Sequence, residues 1–170
     1  DSISFWNIWN ALFPRVCELY SLQKEQLIAD CEDNVMLSYN GIEGNILVTY
    51  MFAMQRWKEN IHEWHTFDFE NAPAFFFRAV NAFGYHPCTL YSISRVLNTV
   101  GFGFIYEGVG WLSTIIRENN HLQKCDLPVN TVYYIEEYMH RFISAMTTDL
   151  KKNKELRKKA LLVLDFLVAK

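Results

Sequence analysis

The 170-residue sequence predicts an all-α fold of about seven to eight helices, arranged as antiparallel helical hairpins stacked in a repeat-like array. Three observations predict it. Apolar residues recur at three- and four-residue spacing along most of the chain, the period of a helix with one buried face. Few segments alternate apolar and polar residues, and only 7 glycines and 4 prolines punctuate the pattern, so strands and tight hairpins have little to build on. Hydrophobic residues make up 51% and charged residues 21%, a balance that supports a packed core rather than a disordered chain.

The elements follow in order. Phe5, Ile8, Trp9, Leu12, Val16 and Leu19 form one stripe, and Pro14 within it is expected to kink or restart the helix by removing a backbone donor. A further turn or two runs from Gln23 to Cys31, ended by the polar run "DCEDN". A long helix is expected from about Gly44, with Leu47, Tyr50, Met54, Trp57, Ile61 and Trp64 on one side. Pro73 starts a short helix that Gly84 closes, and Pro87 opens the next, with Leu90, Ile93, Leu97 and Val100 inward and Gly101 at its end.

After "GFGFIYEGVGW" comes a helix carrying Val109, Leu112, Ile115 and Ile116. Asn130 or Thr131 caps a long helix with Val132, Ile135, Met139, Phe142, Ile143, Met146 and Leu150 inward. Asn153 caps the last, with Glu155 favourable in its first turn. The hairpins are thus residues 87–120 and 130–170. Residues 1–170 are expected to be a single all-helical domain, divisible into a sub-bundle 1–84 and a hairpin stack 85–170. The chain does not begin with methionine and ends within "KKALLVLDFLVAK", so it is expected to be excised from a longer polypeptide.

The four glycines from Gly101 to Gly110 admit three uses. A dinucleotide loop needs GxGxxG between strand and helix, but Tyr106 stands where the third glycine belongs and a helical pattern precedes it. A membrane span over Val96–Ile116 has the length, but Glu107 sits at its centre, where a charge is costly. An elbow between two helices is the remaining use. On this account Gly108, Gly110 and Trp111 are candidate contacts, either with a neighbouring helix or with a partner.

Two constellations carry possible chemistry. Glu-x-x-His occurs at Glu59–His62, Glu118–His121 and Glu137–His140. The order Glu25, Glu59, His62, Glu107, Glu137, His140 resembles the ligand order of ferritin-like di-metal carboxylate proteins. At about 100° per residue, however, both complete pairs point roughly 110–170° away from their helices' apolar stripes, where a bundle metal cannot be held. "RWKENIH", with Arg56 and His62, resembles the arginine–histidine motif of HEPN-type ribonucleases. That resemblance implies His62 as general base and Arg56 as stabiliser of phosphate charge.

"KKNKELRKK" concentrates lysine and arginine from Lys151 to Lys159 without interleaved aromatics. It is expected to be a solvated connection, and with a net charge of −3 no nucleic-acid partner and no membrane is expected. The four cysteines form no CxxC pair. Their even number permits disulfides, but Cys17 and Cys31 fall in helical patterns where single cysteines are commonly buried and reduced, which favours a reducing, cytoplasmic setting.

The segments "FWNIWNALFPRV", "GFGFIYEGVGWLSTII" and "NTVYYIEEYMHRFI" together resemble the helical region of large bacterial NTPases of the STAND type, which act in antiphage defence. That resemblance implies a sensing or packing role and a protein partner, either separate or the rest of the parent chain. The family's ATP site lies in a separate P-loop domain. No P-loop motif occurs here, so no cofactor is expected.

Overall fold

The computed structural model describes residues 2–33, 72–99 and 103–170. Those residues form an all-α fold of eight α-helices and one short 3-10 helix, with no strand among them. The α-helices are α1 (Ser2–Ser21), α2 (Lys24–Glu32), α3 (Ala72–Phe83), α4 (Pro87–Thr99), α5 (Ile105–Glu118), α6 (Thr131–Ala145), α7 (Thr147–Lys152) and α8 (Lys154–Val168); the 3-10 turn spans Asn120–Gln123 between α5 and α6. The helix expected from Gly44 lies outside the described residues, as does Gly101.

α5 is the central helix. It touches α3, α4, α6, α8 and the 3-10 turn. Its sequence explains why. Val109, Leu112 and Ile116 form one apolar row, Trp111 and Ile115 another, and all are buried. A helix apolar over so much of its circumference must be covered on several sides. α6 lies along α4, and α8 lies along α5. The inward residues of α6 are Ile135, Tyr138, Met139 and Phe142; those of α8 are Leu156, Ala160, Val163 and Phe166.

A chain of aromatic rings fastens α1 and α3 to this centre. Phe13 lies 6.3 Å from Phe75 and 5.5 Å from Phe83 between ring centroids, and Tyr20 lies 5.1 Å from Phe83. Phe76 packs on Trp111 at 5.1 Å and on Phe104 at 5.7 Å. Offset and edge-on contacts of this kind add to the burial of the rings themselves. Phe13 and Tyr20 are buried on either side of Pro14, and α1 runs through that proline as one helix, so the helix does not restart there. The missing backbone bond is outweighed by the rings that hold both halves to α3.

The caps are mixed. Asn153 accepts from the Leu156 amide at 3.0 Å and starts α8 as its sequence predicts. Asn130 precedes α6 but makes no side-chain cap; its backbone is left-handed, at φ 70°, a conformation asparagine tolerates. The expected long last-but-one helix is broken at Met146 into α6 and α7. Ile143, expected inward, is exposed. Gly84 follows α3 directly, and its amide bonds the Val80 carbonyl at 3.0 Å. A Cβ there would stand 2.4 Å from that same carbonyl, so the close approach, rather than a left-handed turn, requires glycine. No helix of the described residues is long and apolar enough to cross a membrane.

Candidate functional site

The glycine-rich elbow divides in its use of space. A Cβ added at Gly108 would lie 2.6 Å from Leu97 Cδ2, 2.7 Å from the Tyr138 hydroxyl and 2.8 Å from Tyr138 Cζ. Leu97 belongs to α4 and Tyr138 to α6, so α5 meets both neighbours at this one residue. Tyr138 is fully buried, and its hydroxyl donates to the Ile105 carbonyl at 2.6 Å, in the first turn of α5. Burial pushes the Tyr138 hydroxyl far above its ordinary pKa, so it stays a neutral donor.

Gly110 differs. Nothing among the described residues lies within 4 Å of a Cβ placed there. One helical turn earlier on the same face, Tyr106 is exposed. Trp111 is buried between Phe76 and Phe104. Of the three residues expected as contacts, Gly108 and Trp111 are therefore taken by the protein's own core, and Gly110 alone has no described residue against it.

The metal-ligand order is not brought together where it can be seen. Glu25, Glu107, Glu137 and His140 are all exposed, on α2, α5 and α6. No group of three histidine, cysteine or acidic residues able to hold a metal occurs among the described residues. Glu59, Arg56 and His62 lie outside the described residues. In the Glu118–His121 pair, Glu118 is bonded by Arg117 at 2.8 Å. His121 instead turns inward, its Nε2 2.7 Å from the Tyr85 carbonyl. A carbonyl oxygen only accepts, so Nε2 carries the proton.

That histidine belongs to a buried polar seam joining the α3–α4 turn to the 3-10 turn. Tyr85 Oη donates to the Tyr20 carbonyl at 2.6 Å, Thr89 to the Phe83 carbonyl at 2.7 Å, and the Cys88 amide to His86 Nδ1 at 3.1 Å. Burial pushes the Tyr85 hydroxyl up to about 12, helped by Cys17, and the Cys88 thiol up to about 12. Burial holds the Tyr85 hydroxyl and the Cys88 thiol in their neutral forms, the opposite of an activated nucleophile.

Two features escape the sequence. Cys31 and Cys125, separated by 94 positions, form a disulfide, so Cys31 is not the reduced core residue expected from its helical pattern. Cys17 and Cys88 are free. Beside Cys125 opens a cleft of about 570 Å³ lined by Lys124, Asp126, Asn130, Thr131, Tyr133 and Lys170. Lys170 donates to the Cys125 carbonyl, and burial lowers its amine pKa, partly offset by Asp126. The basic run from Lys151 to Lys159 is exposed apart from the buried Leu156. There Arg157 donates to the Leu150 and Lys151 carbonyls at 2.8 and 3.1 Å and Lys158 pairs with Glu155 at 2.9 Å.

Compared with known families and with curated protein sequences, the chain matches no family model and no curated relative.

Proposed function

We propose that this chain is a non-catalytic helical scaffold or recognition module of a larger, defence-related bacterial protein, its hairpins stacked as repeats are. The observation that carries the proposal is Gly110. Glycine inside a helix costs about 1 kcal/mol against alanine. At Gly108 the structure supplies an internal reason for that cost, in Leu97 and Tyr138. At Gly110 it supplies none among the described residues, which is in keeping with the close approach of a backbone or ring that is not among them. Tyr106 on the same face is the kind of exposed aromatic that anchors protein contacts. The partner is the remainder of the parent chain or a separate protein, in keeping with the STAND-type resemblance in sequence. A cytoplasmic setting rests on that resemblance alone, because disulfides such as Cys31–Cys125 are more often kept outside reducing compartments.

The test expresses the chain and the remainder of its parent polypeptide as separate pieces and measures their co-purification. Gly110→Trp is expected to abolish association while leaving the melting temperature of the chain unchanged or higher. Undiminished association overturns the proposal. Cleavage of RNA by the purified chain, lost in His62→Ala, would replace it with the ribonuclease reading. Stoichiometric iron, manganese or zinc by elemental analysis would replace it with the di-metal one.

A further inference from the structure

Among the described helices, α2 has a thin attachment. Cys31 is its one buried residue; Leu27 and Ile28 add partly buried contact. Lys24, Glu25 and Gln26 are exposed, and the Lys24 ammonium rests 5.1 Å from the centroid of the Tyr85 ring. Nine residues are also too few for a helix to persist alone in water. Its neighbour is the 3-10 turn Asn120–Gln123, two residues before Cys125.

α1 is fastened independently of sulfur, through Phe13 and Tyr20, the Tyr85 bond to the Tyr20 carbonyl and an Arg78–Asn10 bond of 2.9 Å. Ordering nine residues of backbone costs more than one buried cysteine and two partly buried side chains return.

We propose that the Cys31–Cys125 pair is a redox-sensitive lock on α2. Oxidised, it pins α2 over the turn that carries His121 and Leu122. Reduced, it lets α2 detach while α1 and the helices from α3 onward keep their packing. The reductant is a dithiol. Its thiolate attacks one sulfur, the S–S bond breaks, and the departing protein thiolate takes up a proton. The reductant's second thiol, on giving up its proton, attacks the mixed disulfide, closes the reductant's own disulfide and releases the other protein sulfur as a thiol. Two electrons and two protons pass to the protein in all. Cys31 is 1% exposed and Cys125 3% exposed, so attack waits on a local fluctuation that exposes one of the two sulfurs while the bond still holds α2. At high reductant the rate therefore levels off at the rate of that fluctuation.

The test is hydrogen exchange read by mass spectrometry on the whole chain, with and without dithiothreitol, alongside the Cys31→Ser/Cys125→Ser double variant. Reduction is expected to speed exchange in residues 24–33 by about tenfold or more while α5 and α6 stay protected. The double variant is expected to exchange fast at α2 with or without dithiothreitol. Unchanged protection of residues 24–33 on reduction overturns the proposal, as does loss of protection throughout the chain. A count of four reactive thiols in the unfolded, air-oxidised protein also overturns it.

Discussion

Gly108 and Gly110 sit two residues apart in one helix, and replacing each with alanine is expected to move stability in opposite directions. At Gly108 the new methyl carbon would be 2.6 Å from Leu97 Cδ2, about 1 Å inside ordinary carbon–carbon contact. Tyr138 cannot easily swing aside, because it is fully buried and its hydroxyl is committed to the Ile105 carbonyl. Overpacking costs about 1–3 kcal/mol. Displacing the hydroxyl leaves a buried polar group unmatched, at about 1–3 kcal/mol more. The better helix propensity of alanine returns about 1 kcal/mol.

The net loss at Gly108 is about 1–5 kcal/mol, a fall in melting temperature of roughly 2–20 °C for a chain of this size. At Gly110 only the propensity term operates, so Gly110→Ala is expected to raise the melting temperature by about 2–4 °C. Thermal unfolding followed by circular dichroism reads both. Equal melting temperatures for the two variants would refute the assignment of Gly108 to the helix contact and of Gly110 to open space.

Three further outcomes follow from the same packing. Phe76→Ala removes a fully buried ring shared with Phe104 and Trp111 and is expected to cost about 3–5 kcal/mol in denaturant titration; a loss under 1 kcal/mol contradicts the central place given to that ring. Thiol alkylation at neutral pH without reductant is expected to modify Cys17 first. Cys88, buried and with its pKa pushed up to about 12, should react only on unfolding, and peptide mapping that finds Cys88 labelled first runs against this. The Tyr85 pKa is raised from 10.0 to about 12, so the folded state holds that proton more tightly than the unfolded one. Its contribution is fully present below pH 10 and is lost as pH rises towards about 12. Joint alkaline titration of tyrosinate absorbance and helicity should therefore show unfolding in that window, and Tyr85→Phe should shift it upward.

What could be read in the sequence was local. The Asn153 cap acts three residues away, through Leu156, and Pro87 opens α4 by its own fixed backbone angle. Tyr106 and Glu107, visible without a fold, set aside a dinucleotide loop and a membrane span for the glycine stretch, and two of its glycines lie inside α5. What sits against each glycine was not legible, since Tyr138 is 30 positions from Gly108 and nothing in spacing reveals that approach. Cys31 and Cys125 have the same difficulty over 94 positions. The break at Met146 has no glycine or proline to announce it; there the buried stripe of α6 ends at Phe142 and α7 buries nothing. For the histidines, helical angles placed His140 outward, where it is. His121 escaped that geometry by lying beyond the end of α5, in a turn of different pitch.

α7 has a further consequence. It buries no side chain, and two carbonyls near its end are satisfied by one guanidinium, Arg157, reaching back from α8. Such a segment is a fuse. Held to the core by the partly buried Leu150 alone, it is expected to open before its neighbours, and because Leu156 and Ala160 seat α8 independently, its opening is expected to spread neither way. Strain arriving at either end of the α6–α8 connection would then be spent in these six residues, leaving the helices that flank them in register.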